Sequence, residues 1–307
     1  MKVYQVILKP LTCFGTPIKG DTLFGHVCWQ IAYDETLVGE PLDNLLKDYD
    51  IHPFSIFSSA FPYHDNKIYL KRPSLPLYLL FSLDEEEIIA KRKQLKEKNY
   101  FVYTQPLPKL NQIEYEKISF VANGEQARCS IDRVVGKTTQ PPFGPFVIAN
   151  FWYLTDLVIF VGIREDIPVE GILKALERVG EIGFGKDATC GWGKFKLVEY
   201  KEIDFYEKNP SFNAYYTLSP SVPEQSYKKI YYEPFVRFGR HGDVFSISSN
   251  PFKAPVLMAD EGAIYLPDKA EKKVYLGKAI KNVSTVLPNC VTQGYSLVIP
   301  VEVQDEI

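Results

Sequence analysis

Hydrophobic and polar residues alternate with two different periods along this chain, and the periods separate predicted strands from predicted helices. Residues 2–9 alternate at every second position and predict a strand. Apolar residues spaced by three and four predict a helix that begins at Asp21, its N-cap, and a second helix over 169–182. A continuous apolar run at 151–163 and an alternating run at 194–200 predict two further strands.

Two more predicted strands, at 54–61 and 67–70, complete an order of elements that indicates the fold class. Residues 84–150 form an insertion between the second and third strands. It opens with an acidic-then-basic helix at 84–99, whose charges suit the helix dipole, and it carries a basic hairpin near 128–140. Without the insertion, and with the runs at 54–61 and 67–70 counted together as the second strand, the order is strand, helix, strand, strand, helix, strand. This is the order of a ferredoxin-like or RRM-like domain, so we predict an α+β fold.

The chain is predicted to divide near residue 205 into two ferredoxin-like domains. Its 307 residues allow two domains that each bury a core. Residues 1–205 form the first domain, with the long insertion and a glycine-rich loop before its last strand. Residues 206–307 are rich in strands and turns and show little helical periodicity. The second domain would therefore be β-rich and a degenerate version of the first.

Composition and charge restrict the class of protein and of partner. Hydrophobic residues make up 46% of the chain and charged residues 24%, as in a soluble globular protein. The net charge is −3, so a nucleic acid would be bound only by basic residues gathered on one face, as in a subunit of a larger assembly. The 20 Tyr and 20 Phe residues supply core packing or base-stacking platforms, and composition leaves both open.

Cysteine spacing and segment hydropathy argue against several kinds of site. The five cysteines are widely spaced and contain no C-x-x-C pair, so we expect no disulfide framework, no metal site and no cofactor. No paired carboxylate motif or Ser-His-Asp arrangement is present. The first ten residues do not resemble a signal peptide, and no apolar run approaches membrane-spanning length. We therefore expect a cytoplasmic protein without membrane contact.

The most informative local feature is a tract at 183–193 that places four glycines within eleven residues. Glycine permits positive φ angles and close backbone approach, and such tracts often present backbone amides to a phosphate group. Lys186, Lys194 and Trp192 add charge and a stacking surface, which suits a polynucleotide. The alternative is a tight helix-to-strand connection without a ligand.

Two nucleotide-binding motifs are excluded by the order of elements around this tract. Residues Gly180 to Lys186, which run into the tract, spell Gly-x-x-x-x-Gly-Lys, as in a P-loop. However, Asp187 stands where Ser or Thr holds magnesium in a P-loop. The tract also spells a loose Gly-x-Gly-x-x-Ala dinucleotide fingerprint. Both motifs need a strand before the glycines and a helix after them, whereas here the helix comes first. Nucleotide hydrolysis and dinucleotide binding are therefore not indicated.

A glycine tract after the second helix of a ferredoxin-like domain resembles the signature loop of the RAMP superfamily of CRISPR proteins. Other segments, in order along nearly the whole chain, are similar to landmarks of one branch: TPIKGDTLFG at 16–25, SIDRVVGK at 130–137, FVRFGR at 235–240, PFKAPVLM at 251–258 and GYSLVIP at 294–300. Val134 and Val135 depart from the more polar pair of that branch, so the hairpin there is expected to differ in shape. The branch is the guide-RNA-capping subunit of type III effector complexes, and the similarity is greatest to the type III-A (Csm) subunit.

The resemblance implies a non-catalytic subunit of a prokaryotic antiviral ribonucleoprotein. Its implied partners are the repeat-derived 5′ handle of the CRISPR RNA, the large polymerase-like effector subunit and the first backbone RAMP subunit.

Candidate RNA-binding residues follow from how a single-stranded RNA end is held. Amides and basic groups bind its phosphates, and aromatic or guanidinium planes stack on its bases. The candidates are Lys19 and Thr22 at the first helix; Lys71 and Arg72 after the second strand; Arg128, Arg133 and Lys137 on the hairpin; Gly183, Gly185, Lys186, Trp192 and Lys194 in the glycine tract; and Arg237, Arg240 and His241 in a second glycine-containing cluster. In the family the hairpin reaches over the guide strand like a thumb.

Each group of candidates has a structural alternative. Lys19 would be an exposed loop lysine, Trp192 would pack over the helix, the hairpin arginines would be solvated, and the second cluster would serve a protein partner. Asp132 would pair with Arg133 or orient the hairpin turn at 135–136.

Two other functions stay open. Related RAMP proteins cut RNA with a histidine as general acid or base. His26, on the first helix, is the candidate for processing of precursor CRISPR RNA, with Lys19 as a nearby second group. The other alternative is a purely structural assembly subunit that makes no RNA contact.

Overall fold

The computed structural model describes residues 1–139, 143–209 and 211–304, which form an α+β fold with antiparallel strand pairs. The α+β part of the predicted fold class is confirmed. The α-helices are α1 (Gly20–Tyr33), α2 (Leu42–Lys47), α3 (Leu77–Leu80), α4 (Glu85–Glu97) and α5 (Val169–Ile182). The strands of the first half are β1 (Lys2–Pro10), β2 (Ser55–Phe57), β3 (Phe61–His64), β4 (Lys67–Lys71), β5 (Tyr100–Tyr103), β6 (Val121–Cys129), β7 (Pro145–Tyr153), β8 (Asp156–Ile163) and β9 (Phe195–Ile203).

The strands of the second half are β10 (Ala214–Thr217), β11 (Lys229–Tyr231), β12 (Pro234–Arg237), β13 (Val256–Ala259), β14 (Ile264–Leu266), β15 (Tyr275–Gly277) and β16 (Tyr295–Val301).

The first half is built around one sheet in the order β5–β4–β3–β8–β1–β9, with β2 also paired to β8. The central strand β1 is buried from Val3 to Leu8, so both of its faces are covered. Helices α1 and α5 pack on this sheet, and so does β16 of the second half, where Leu297 lies against Gly162 of β8. The alternation in the sequence therefore understates how deeply β1 is buried, because the second half covers a face that would otherwise be exposed.

Three helices, α1, α4 and α5, lie where the sequence predicts them, and the structure refines their ends. Helix α5 ends at Ile182, which is 54% exposed, and Gly183 follows with a φ of 118°. Helix α4 begins after Asp84, whose carboxylate accepts a hydrogen bond from the amide of Glu87. The N-cap prediction for α1 is wrong. Lys19 occupies the cap position without a side-chain cap, because the Asp21 carboxylate binds an arginine of the second half.

Two predicted strands are each divided in two. The run at 54–61 is interrupted between β2 and β3, where the Ser58 hydroxyl accepts a hydrogen bond from the Phe160 amide (2.7 Å) and takes the place of a backbone carbonyl. The run at 151–163 bends after β7, which leaves the main sheet to pair with β6. Periodicity cannot show either break, because the residues on both sides remain apolar.

The insertion is not separate from the first sheet. Strand β5 pairs with β4 at the edge of that sheet, whereas β6 and β7 pair with each other, and Phe151 of β7 also forms an isolated bridge with Phe14. The insertion thus contributes an edge strand and a two-stranded ribbon, which we call the first ribbon (β6–β7).

The second half contains a five-stranded sheet in the order β11–β14–β10–β16–β15 and a second ribbon, β12–β13. Residues 211–304 contain no α-helix, so a second ferredoxin-like domain would be one that has lost both helices. One hydrophobic core continues through both halves: Tyr216 lies against Phe101 (ring centroids 6.0 Å apart), and Leu297 and Ile299 of β16 belong to the same buried cluster as the first sheet. The ferredoxin-like description of the halves and the boundary near residue 205 stay predictions.

Candidate nucleic-acid interface

The glycine loop, residues 183–194, has a backbone that only a glycine-rich sequence adopts easily. The residues with positive φ are Gly183 (118°), Gly185 (74°), Asp187 (61°), Gly191 (86°) and Gly193 (73°). A Cβ atom at Gly193 would lie 2.2 Å from the carbonyl oxygen of Phe184. The glycines are therefore required by conformation and by close backbone approach.

The amides of this loop point into the protein. Five of their hydrogen bonds are Gly183 to the Val179 carbonyl (2.8 Å), Gly185 to His26 Nε2 (3.2 Å), Lys186 to Thr16 Oγ1 (3.0 Å), Gly193 to the Cys13 carbonyl (2.8 Å) and Lys194 to Thr12 Oγ1 (2.9 Å). The prediction that Gly183 and Gly185 expose their amides to a phosphate is wrong. The loop uses them to bind α1, α5 and the segment at 12–16, partners that the local sequence does not show.

His26 fixes the glycine loop rather than facing solvent as a free base. Its Nε2 accepts the Gly185 amide, and its ring lies 4.8 Å from that of Phe184. Burial lowers the pKa of His26 to about 4, so the imidazole is neutral at pH 7. The nitrogen lone pair that a general base would use is already engaged in a hydrogen bond.

Trp192 packs inside the loop and is covered by the first ribbon. It is 5% exposed, and the Arg128 guanidinium lies 4.8 Å from its ring. Arg128 Nη1 also lies 3.2 Å from Asp187 Oδ1. Trp192 therefore presents no open ring face to a base in this structure, and its packing alternative is favoured. Arg128, which pairs with Phe146 near the distal end of the first ribbon, joins this ribbon to the glycine loop.

The tip of the first ribbon carries exposed positive charge. Asp132 Oδ1 accepts the Val134 amide (2.8 Å), and its carbonyl accepts the Gly136 amide (2.8 Å), which confirms the predicted turn and the orienting role of Asp132. Arg133 and Lys137 are exposed and make no ion pair within the described residues. The predicted hairpin ends at Gln140, which lies outside the described residues.

Lys19 and Lys71 bind carboxylates of the second half. Lys19 Nζ lies 2.5 Å from Asp260 Oδ1 and 2.7 Å from Glu261 Oε2, and Lys71 Nζ lies 3.0 Å from Asp260 Oδ2. The Lys19 side chain is 16% exposed. The exposed-lysine alternative for Lys19 is therefore wrong. The positive charges that the sequence assigned to RNA phosphates are paired inside the protein.

The two carboxylates of this cluster differ in their pKa values. Burial alone would raise the pKa of Asp260, but Lys19, a hydrogen bond with Glu261 and Lys71 together lower it to about 2. Burial, reinforced by Asp260, raises the pKa of Glu261 despite the proximity of Lys19. Asp260 is therefore the firmly ionised partner of both lysines.

The other candidates also make intramolecular contacts. Arg72 Nη1 donates to the Leu95 carbonyl (2.9 Å), and the Thr22 amide donates to the Lys19 carbonyl (3.1 Å). His241 is buried, its Nε2 lies 2.7 Å from Ser284 Oγ, and burial followed by the charge of a nearby lysine lowers its pKa.

The two arginines of the second cluster differ in how they are paired. Arg237 forms a bidentate ion pair with Asp21. Arg240 is exposed and donates to the Ser246 carbonyl (3.1 Å). Arg240 alone of the three residues in this cluster therefore keeps an exposed charge.

The structure thus divides the predicted site into two classes. The first class forms ion pairs between the two halves: Lys19, Lys71 and Arg237. The second class consists of basic residues that form no ion pair with a carboxylate within the described residues: Arg133, Lys137, Lys186, Lys194 and Arg240. The sequence analysis missed Asp260 and Glu261. Their signal is two adjacent acids between a buried strand and a glycine, which indicates a turn but not its partners.

The residues that the structure describes contain neither a cluster of metal-ligating side chains nor a membrane-spanning helix. No group of three or more His, Cys, Asp or Glu side chains there could hold a metal ion. No helix there is long and apolar enough to span a membrane.

Comparisons with known proteins reveal similarity in structure but not in sequence. No protein-family model and no curated protein matches the chain. A crystal structure of a Csm1-Csm4 cassette with AMPPNP matches at 18% identity and a TM-score of 0.61, and one with cA3 matches at 17% and 0.62; both matches cover all of both chains. A Csm3-Csm4 subcomplex of the type III-A CRISPR-Cas interference complex matches at 13% identity and 0.58, over 98% of this chain and all of the other. The chain therefore shares its fold with these structures of type III CRISPR subunits along its whole length.

Proposed function

We propose that this chain is a non-catalytic subunit of a type III CRISPR ribonucleoprotein. In this role it binds the repeat-derived 5′ handle of the CRISPR RNA and anchors the large polymerase-like subunit to the backbone. The observation that carries the proposal is the fold shared along the full chain with structures of two different assemblies. Both assemblies contain Csm4, one with Csm1 and the other with Csm3. A subunit in the position of Csm4 would contact two different proteins.

The distribution of unpaired charge supports RNA binding. The chain as a whole has a net charge of −3, yet Arg133 and Lys137 at the ribbon tip and Lys186 in the glycine loop are exposed without a carboxylate partner in the described residues. Arg128 connects the two elements through Trp192 and Asp187. These cations offer a path for a phosphate backbone that starts at the ribbon tip and reaches the glycine loop.

The environment of His26 supports a non-catalytic role over RNA processing. A histidine that transfers protons at neutral pH needs a pKa near 7 and a free nitrogen. Burial lowers the pKa of His26 to about 4, and its Nε2 binds the Gly185 amide. Lys19, the second group of the nuclease hypothesis, is bound to Asp260 and Glu261.

The test is to purify the tagged protein from its native host and to sequence the RNA that accompanies it. We expect RNA with one uniform, repeat-derived 5′ end, together with two other protein subunits. The variant Arg133→Gln/Lys137→Gln should recover less RNA, because phosphate contacts are lost. The matched control, Lys93→Gln/Lys96→Gln, removes two exposed charges from α4 and should recover the normal amount.

Three outcomes would contradict parts of this proposal. Absence of RNA, or RNA without a common 5′ end, would exclude binding of the handle. Normal RNA recovery by the ribbon variant would mean that the bound RNA does not contact the ribbon tip. Cleavage of precursor RNA by the purified chain, lost in His26→Ala, would establish the nuclease alternative instead.

A further inference from the structure

The outer face of the second ribbon and its continuation carries large exposed rings. Val236 and Leu257 are paired on this face and are 43% and 60% exposed. Further along, Arg240 pairs with Phe252 in an isolated bridge, and Phe252 is 60% exposed. Phe238, two residues before Arg240, is 76% exposed. Since side chains two residues apart in extended chain share a face, Phe238, Arg240 and Phe252 lie on the same side.

The inner face holds this ribbon rigidly against the rest of the protein. Met258 is fully buried, and the Phe235 ring contacts both Lys19 Nζ (4.6 Å) and the Arg237 guanidinium (4.7 Å). The Lys253 amide donates to the Gly239 carbonyl (2.8 Å), which extends the pairing beyond β12. The exposed rings therefore project from a backbone that is packed against the rest of the protein, and not from a free loop.

The charge around these rings is positive. Residues 234–258 contain Arg237, Arg240 and Lys253 but a single acid, Asp243, in a chain whose net charge is −3. Arg237 is paired with Asp21, and Asp243 accepts a hydrogen bond from the Tyr33 hydroxyl. Arg240 and Lys253 have no carboxylate partner within the described residues, but the Lys253 side chain lies on the side of Gly239, opposite the exposed rings. Arg240 is therefore the unpaired cation on the face of the rings.

We propose that Phe238 and Phe252 are a stacking platform for unpaired bases of single-stranded RNA, with Arg240 binding a neighbouring phosphate. This inference rests on the proposed function and names a binding surface within it. The Arg240 guanidinium already lies 5.9 Å from the centre of the Phe252 ring, an arrangement that a stacked base would extend. A phosphate complements the Arg240 charge on this face, whereas an aliphatic protein partner would leave that charge uncompensated.

The spacing of the rings fits two separate bases. Arg240 lies opposite Phe252, and Phe238 is two residues before Arg240 on the same strand, so the two phenylalanines are diagonal neighbours. Diagonal neighbours on one face of an antiparallel pair lie about 7 to 8 Å apart. Stacking on phenylalanine does not depend on base identity, because every base has a π face. This surface would therefore hold RNA without reading its sequence.

The test measures binding of the purified full-length chain to a fluorescein-labelled single-stranded RNA of mixed sequence, about ten nucleotides long. Phe238→Ala and Phe252→Ala should each weaken binding by about 5- to 150-fold. Phe238→Trp should preserve binding, because a larger ring still stacks. The matched controls Val236→Ala and Leu257→Ala remove exposed aliphatic groups from the same face and should leave RNA affinity unchanged. Circular dichroism on every variant confirms that the chain is folded.

Each outcome decides between hypotheses. If the wild-type chain binds RNA but neither phenylalanine variant weakens binding, the stacking platform is wrong and the proposed function stands. If the wild-type chain binds no RNA at all, both are wrong. If RNA binding is unaffected and the phenylalanine and aliphatic variants all abolish recovery of the partner subunits from the host, the face is a protein interface and the inference is overturned.

Discussion

Arg237 forms a bidentate ion pair with Asp21, 216 residues earlier in the chain. The Asp21 carboxylate is 2% exposed and the Arg237 side chain 20%, and Arg237 Nη2 lies 2.8 Å from Asp21 Oδ1. The pair joins the second ribbon to the first turn of α1. Lys19, at the N-cap of the same helix, binds Asp260 and Glu261 of the second half. The start of α1 is therefore where ion pairs fix the two halves to each other.

Breaking this pair should destabilise the whole protein. Arg237→Gln leaves the buried Asp21 carboxylate without its partner, and removal of one member of a buried ion pair costs about 3 kcal/mol or more. We expect the free energy of unfolding in urea to fall by about that amount. Lys174→Gln breaks an exposed pair with Glu177 and should cost less than about 1 kcal/mol. Equal losses in the two variants would mean that the Asp21 pair does not connect the halves.

The cluster around Asp260 predicts a loss of stability in acid. The pKa of Asp260 is lowered from 3.8 to about 2 in the folded protein, so its stabilising effect is present above pH 3.8 and is lost as the pH falls toward 2. Asp260→Asn should lower the free energy of unfolding at pH 7 by about 2 kcal/mol. Urea titrations between pH 7 and pH 2 should show the wild type and the variant converging at the acid end.

Glu261→Gln is the matched control for that prediction. The pKa of Glu261 is raised, so its ionised form is disfavoured in the folded state and its contribution improves as the pH falls. We expect this variant to cost less stability at pH 7 than Asp260→Asn. A larger loss for Glu261→Gln would mean that Glu261 is the ionised partner of Lys19.

Two glycines of the loop should respond differently to alanine. Gly193→Ala places a Cβ 2.2 Å from the Phe184 carbonyl oxygen at a φ of 73°, so it should cost more than about 3 kcal/mol. Gly191 also has a positive φ, 86°, but open space around it, so Gly191→Ala should cost only about 1 kcal/mol. Gly25→Ala, in helix α1 with open space, should stabilise the protein by about 0.5 to 1 kcal/mol. Thermal unfolding gives the order, and any other order would contradict the loop conformation.

His26 should make the free energy of unfolding depend on pH, and this dependence should begin at a higher pH than that caused by the carboxylates. Its pKa is lowered from 6.5 to about 4, so the unfolded chain binds a proton first, and stability is lost as the pH falls from 6.5 toward 4. This loss amounts to about 3 kcal/mol. His26→Gln keeps an acceptor for the Gly185 amide and removes the titration, so its stability should change less across that range. Parallel pH profiles for the two proteins would show that His26 is not buried as described.

The local pattern of apolar and polar residues was sufficient to predict some elements of this fold. Helix α5 and strand β9 lie where spacing and alternation predict them, because a helix or strand with one buried face carries its period in the sequence. The turn at Val135 and Gly136 was also predictable, since Asp132 binds amides two and three residues away. The break at Ser58 was not, because its hydroxyl binds a residue 102 positions distant.

The candidate site illustrates the same limit in its chemistry. The sequence alone determined that basic residues, aromatic residues and a glycine loop exist, and that the loop follows a helix and precedes a strand. Tertiary structure decided which charges remain available: Lys19, Lys71 and Arg237 meet carboxylates more than 180 residues away, and Arg133 meets none in the described residues. The physical reason is that the spacing of apolar residues along the chain shows which face of a helix or strand each residue occupies. The electrostatic partner of a side chain depends instead on how distant segments pack.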